Sequence, residues 1–232
     1  MFQQLKRIAI ACFLLAIPLV SQSQNFNYNL TKDSIVYVPL SGATILTAGE
    51  DFTNQNFSIH FPFQFNFCGS VTDSVKIEGN GFVVFDNAKG LAAVSFNNFG
   101  SKKDTNQNYV SSISYAVSGS QGNRILKIEF KNLAQSALSN YDFLNYQVWL
   151  YENSNKVEYH IGNNSYANEM GEGIPALIGI INRNMDTENK AYLVKGIPST
   201  PEGQLISGES EFVYINNVPF SGTVYTITPT FN

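Results

Sequence analysis

Between Asn123 and Gly162 the chain holds two amphipathic segments joined by a tight hairpin and preceded, across a short insert, by a third, and each alternates apolar and polar side chains with a strict period of two. In NRILKIEFKN, Leu126, Ile128 and Phe130 alternate with Lys127, Glu129 and Lys131. In NYQVWLYENSNKVEYHIG, Val148, Leu150, Val157, Tyr159 and Ile161 alternate with Gln147, Trp149, Tyr151, Glu158 and His160. Successive side chains of a strand point to opposite faces, so this pattern requires a sheet with one buried and one wet face. A turn centred on Ser154-Asn155 is expected to pair Tyr151 with Glu158, Trp149 with His160 and Leu150 with Tyr159. A slip of one residue would expose the whole apolar set, which constrains the assignment of faces.

The same alternation recurs in short segments along the chain. Strands are predicted over Ile35 to Leu40, Ala43 to Thr47, Phe57 to Phe67, Val75 to Glu78, Gly81 to Asp86 and Ala92 to Phe96. Further strands are predicted over Tyr109 to Val117, Arg124 to Lys131, Phe143 to Glu152 and Lys156 to Ile161. The series closes with Ala176 to Asn182, Ala191 to Val194, Glu211 to Ile215 and Thr223 to Thr228. DNAKG, SGSQGN, ENSN and IPSTPEG supply turn chemistry between them. No sustained helical period occurs, although Asn132 to Leu144 has room for one turn. The fold class expected is all-β: an antiparallel two-sheet β-sandwich, jelly-roll-like, with almost no helix. No charge run or repeat divides the chain, so residues 25–232 are read as one domain.

The first 24 residues read as a signal peptide, with Lys6 and Arg7 before the apolar run Ile8 to Val20 and small residues at Ser21-Gln22-Ser23. That run falls short of the roughly 20 residues needed to span a bilayer, so no membrane span is expected after cleavage. Cys12 belongs to this run as a plain hydrophobe, because too few apolar residues precede it for a lipoprotein signal. Cleavage leaves Cys68 as the single thiol, read as a small buried hydrophobe. The expected location is secreted, extracellular or cell-surface, with the periplasm as the other destination. A net charge of −4 without any basic run argues against nucleic acid as a partner.

FPFQFNFCGSVTDSVKIEGNGFVVFD resembles the opening block of a secreted β-sandwich module common in Bacteroidetes surface proteins. RILKIEFKN, NYQVWLYENSNKVEYHIG, PALIGIINR and GTVYTITP resemble its later blocks in the same order, so the likeness runs from about Asp51 to Pro229. The resemblance implies the fold and an exported protein. It also implies a C-terminal domain read by the type IX secretion system; no such domain follows GTVYTITP before Asn232, so another export route or a retaining partner is expected. It brings no catalytic residues. Where such modules often carry an acidic aromatic loop, this chain has NNFGSKKDTNQNYV with Asp104 as its only carboxylate, which argues against a metal there.

No catalytic constellation assembles from the remaining residues. His60 and His160 both lie in strands, and His60 reads as a packed or edge residue. No GxSxG elbow occurs. Two histidines and one mature cysteine are too few for a zinc site. The glycines of Gly171-Glu172-Gly173 lack the helix and lysine of a phosphate loop. Neither metal nor cofactor is expected. Glu129 and Glu158 share the outer face and are the one pair from which a carbohydrate-active hydrolase could be built. However, Lys127 and Lys131 flank Glu129 and are expected to form cross-strand ion pairs with Glu158.

The preferred reading is a non-catalytic module for adhesion or glycan binding through an aromatic sheet face. Its candidate ligand-binding residues are Trp149, Tyr151, Gln147, His160, Glu158 and Glu129. The partner would be a glycan or another envelope protein. The alternatives are the paired-glutamate hydrolase and a purely structural envelope protein, with the insert Ala134 to Tyr141 covering Trp149. The segments Asn97 to Tyr109 and Ser165 to Gly173 are expected to be solvent loops that serve as secondary contacts.

Overall fold

Six inward hydrophobes on one strand set the wall of the core. Phe57, Ile59, Phe61, Phe63, Phe65 and Phe67 alternate with polar residues along NFSIHFPFQFNF, and the last five are buried. The structure is a computed structural model that describes residues 27–85, 90–95, 99–135, 142–166, 175–182, 190–208 and 211–230. The leader assigned to residues 1–24 lies outside these, as do 136–141 of the insert, 97–98 of the Asn-rich segment and 167–173 of the loop that includes GEG.

The described residues form fifteen strands: β1 (Tyr28–Ser34), β2 (Thr44–Ala48), β3 (Asn56–Phe67), β4 (Ser70–Glu78), β5 (Phe82–Phe85), β6 (Gly90–Ser95), β7 (Phe99–Ser101) and β8 (Ser112–Ser118), then β9 (Ile125–Gln135), β10 (Leu144–Tyr151), β11 (Val157–Asn164), β12 (Leu177–Asn182), β13 (Lys190–Ile197), β14 (Thr200–Ser207) and β15 (Thr223–Pro229). One sheet has the order β1-β15-β11-β10-β9-β8-β2, with β7 also on β9. The other has the order β14-β13-β12-β6-β5-β4-β3. Every pairing between named strands is antiparallel, so the chain folds as the expected β-sandwich.

The inner faces meet in one continuous core. Leu126, Ile128, Phe130, Tyr146, Val148, Leu150, Val157, Tyr159, Ile161, Tyr225 and Ile227 pack from the first sheet against Ile77, Phe85, Ile178 and Ile180 of the second. Buried tyrosines tie the layers with their hydroxyls. Tyr146 Oη donates to Gly81 O at 2.6 Å and Tyr159 Oη to Gly179 O at 2.6 Å. Each pairing removes a buried polar group that would otherwise be costly. Gly81 permits this approach: its φ is +99°, and an added Cβ would stand 2.5 Å from the Tyr146 hydroxyl. A glycine at position 81 is therefore a packing requirement.

Three strands were not foreseen, and two predicted ones are absent. β1 precedes the predicted Ile35 to Leu40 strand, and residues 35–43 form no strand at all. β7 was not anticipated, and β14 begins inside IPSTPEG, which had been assigned to a turn. Glu211 to Ile215 contributes only isolated bridges, from Ile215 to Ala176 and to Gly196. Asn132 to Gln135 belong to β9 rather than to a helical turn.

The β10–β11 hairpin differs from expectation by two residues in register. Trp149 pairs with Glu158, Gln147 with His160 and Leu150 with Val157. A wider loop explains the shift. Asn155 N donates to Tyr151 O, and both Asn153 and Asn155 take the left-handed conformation that asparagine tolerates. Glu152 does not pair with Val157; it turns to Arg124 instead. A shift of two preserves every side chain's face, so the inward and outward sets stand as read.

Candidate recognition face

The outer face of the first sheet holds all six candidate residues, but they divide into a covered group and an accessible one. Across the middle of the sheet, Ser114, Glu129, Gln147, His160 and Val224 lie in one register row. The next row is Ala116, Lys127, Trp149, Glu158 and Thr226. Alternation puts both rows outward.

Residues 35–43 cross the first row as a strap. Ile35 N is anchored on Gly222 O at 2.8 Å. Tyr37 Oη donates to Glu129 Oε1 at 2.7 Å, and Leu40 N lies 3.3 Å from each Glu129 oxygen. Gln147 Nε2 donates both to Val38 O at 2.9 Å and to Glu129 Oε1 at 2.8 Å. Glu129 is 4% exposed and Gln147 1%. The Tyr37 ring rests on Gly162, where a Cβ would come within 2.8 Å of it. Burial, then the neighbouring Glu129 carboxylate, hold the Tyr37 hydroxyl well above its ordinary pKa. Glu129 and Gln147 thus seat the strap and are not open to a ligand.

In the second row Ala116, Lys127 and Trp149 stay partly exposed while Glu158 and Thr226 are buried. Trp149 Nε1 donates to Gln147 Oε1 at 2.8 Å. The His160 ring, from β11, stacks on the indole with centroids 3.9 Å apart, and Lys127 Nζ, from β9, stands 3.8 Å from the indole centroid. These partners come from the two strands that flank β10. The Tyr151 ring lies 6.4 Å from that of Trp149 and carries Lys156 Nζ at 4.0 Å.

Glu158 is the hub. Its Oε2 accepts from Tyr151 Oη at 2.6 Å and lies 2.8 Å from His160 Nε2; its Oε1 accepts from Lys156 Nζ at 2.7 Å. Burial pushes the Glu158 carboxyl up, but the His160, Lys156 and Tyr151 bonds outweigh it and hold the group at about 2. The ion pairs expected between Glu158 and Lys127 or Lys131 do not form, because β10 separates β9 from β11. At the hairpin tip, Arg124 and Glu152 form a bidentate pair, which holds the Glu152 carboxyl at about 2.

His60 is an edge residue of β3 with an 82% exposed side chain, 3.9 Å from Asp73. Cys68 occupies the β3–β4 turn at φ +51°, with its Sγ 3.5 Å from Tyr28 Oη. Burial pushes its thiol up to about 12, so it holds little thiolate at neutral pH. Among the described residues, no group of three or more His, Cys, Asp or Glu could hold a metal ion. Asp104 accepts from Asn106 N and Asn108 N and so caps its own loop. No described helix is long and apolar enough to cross a membrane.

The sequence reading places Lys127 outward but gives neither the strap nor the seating of Lys127 and Lys156 on the Trp149 and Tyr151 rings. Lys127 and Lys156 are outward by the same alternation that placed Trp149, so their proximity was available from the pattern. Pro39 was a signal for the strap: it removes a donor and disfavours a paired strand over Ile35 to Leu40.

No curated protein and no solved structure matches the chain. The model of a family described as NIDO related matches residues 27–229, from the residue before β1 to the end of β15. The chain therefore belongs to this NIDO-related family of extracellular-type β-rich domains.

Proposed function

We propose that the chain is an exported, non-catalytic β-sandwich module that recognises glycans through the outer face of its first sheet, in adhesion or capture at the cell envelope. One observation carries this reading: Trp149 and Tyr151 are partly exposed at the margin of the strap, each held by a hydrogen bond to a buried side chain, Gln147 and Glu158 respectively. Preorganised aromatic and polar groups bind with little loss of side-chain freedom. The extracellular type of the family, the leader and the resemblance to exported Bacteroidetes modules all favour this location.

The occupied carboxylates support the non-catalytic part. Glycosidases need one carboxyl as an acid and the other as a base or nucleophile. Here the Glu129 oxygens are taken up by Tyr37, Leu40 and Gln147 beneath the strap, and those of Glu158 by Tyr151, Lys156 and His160.

A glycan array probed with the mature chain and with Trp149→Ala tests the reading. Selective binding by the wild type, lost in a folded Trp149→Ala variant, is expected. No binding by a folded wild type would overturn it.

A further inference from the structure

We infer that the glycan taken by this face is anionic, a uronate-bearing or sulfated polysaccharide whose acidic groups are held by Lys127 and Lys156 beside the Trp149–Tyr151 pair. The inference rests on the recognition reading above and adds the chemical class of the ligand.

Its first ground is that the indole is not free to stack a sugar. A neutral pyranose would lay its apolar face on an open ring. The His160 imidazole and the Lys127 ammonium already lie against Trp149 from the two flanking strands, and Gln147 takes its only N–H. Tyr151 likewise carries Lys156 on its ring and spends its hydroxyl on Glu158. What the cluster offers outward is ammonium, with the aromatic rings as its support.

The second ground is the sorting of charge on this face. Its carboxylates are covered: Glu129 lies under the strap and Glu158 is 8% exposed within its network. Its cations are not. Among the described residues no carboxylate lies within ion-pair distance of Lys127 or Lys131. Lys156 spends one contact on Glu158, and an ammonium has three donors. The exposed outward carboxylate on the same sheet, Asp33, lies on β1, three strands from Trp149.

The exposed charges of this face are thus ammonium groups, on a chain of net charge −4, so the attraction is specific to the face and not to the whole molecule. Partial burial lowers the affinity of the Lys127 ammonium for its proton, and a bound anion would compensate the same desolvated charge.

Trp149 is the only tryptophan in the chain and touches Lys127, so its fluorescence reports on this site directly. The mature chain would be titrated with polygalacturonate, dextran sulfate, neutral dextran and duplex DNA, alongside Lys127→Gln/Lys156→Gln. Saturable change with polygalacturonate or dextran sulfate is expected, weakened at least tenfold in the double variant and by added salt. The two acidic arms separate carboxylate from sulfate. Absence of response to neutral dextran and DNA is part of the expectation. Equal binding of DNA would reduce the effect to general polyanion attraction and overturn the inference. Binding of neutral glycans, or indifference to the double variant, would overturn it while leaving the recognition reading intact. Silence from every saccharide here and on the array would remove both.

Discussion

Both sheets of this sandwich have covered outer faces, and the two covers are built from opposite chemistry. On the second sheet, Leu177, Ile181, Ala191, Leu193 and Ile206 form a small apolar cluster with Phe82 and Val213 packed on it. The segment carrying Val213 is tied down by the Ile215–Ala176 bridge. On the first sheet the strap at 35–43 seats on Glu129 and Gln147 through hydrogen bonds. An apolar cover needs only burial and tolerates any well-fitting shape. A polar cover needs each donor matched to an acceptor, because an unmatched buried group is costly. The first kind stabilises a sheet. The second also fixes the positions of the groups at its margin, and there the Trp149 cluster stands.

Truncating the apolar cover should have the largest effect on stability. Leu193 is fully buried in the second cluster, and Leu193→Ala is expected to cost about 4 kcal/mol through lost transfer energy and a residual cavity. Urea unfolding measures it. The substitution should leave Trp149 emission unchanged; a shift there would mean that the two covers are coupled.

Acid provides the next test. The Glu158 carboxyl is lowered from an ordinary 4.5 to about 2. A lowered carboxylate pKa contributes stability that is complete above the unfolded value and disappears as pH falls through the folded one. At most roughly 3 kcal/mol should therefore be lost between about pH 5 and pH 2. In Glu158→Gln the corresponding slope should be absent. Parallel curves for wild type and variant would show that the network does not hold this proton off.

These tests also mark what could be read from sequence. Alternation located the core faces of β9, β10 and β11 because an apolar residue in every second position has one physical solution. It also survived the register error, since a two-residue shift keeps faces while changing partners. The loop that caused the shift depends on Asn153 and Asn155 entering the left-handed region, a choice that period-two patterning does not encode. The separation of Glu129 and Gln147 from Trp149 was also hidden. It depends on a segment 89 residues away in sequence, whose contacts run through one hydroxyl and a few backbone groups. A strap of that kind leaves no periodic trace beyond the out-of-place Pro39.

The polar cover itself can be dismantled in steps. Glu129→Ala leaves Tyr37 Oη and Gln147 Nε2 without their shared acceptor and should cost about 2 kcal/mol. It should also expose residues 35–43 to limited proteolysis ahead of the sandwich, because that carboxylate ties the strap to the sheet. Cleavage elsewhere first would refute a separable strap.

Tyr37→Phe is the mildest step and the sharpest. It keeps the ring that rests on Gly162 and removes only the 2.7 Å bond to Glu129, so about 1 kcal/mol is expected. If hydrogen bonding seats the strap, this loss should speed proteolysis at 35–43 and blue- or red-shift Trp149, whose partner Gln147 shares Glu129 Oε1 with Tyr37. If ring packing on Gly162 does the seating, Tyr37→Phe will match the wild type while Gly162→Ala loosens the strap. The second result would make the first sheet's cover resemble the second's. It would also leave the Trp149 cluster ordered by its own Glu158 network alone.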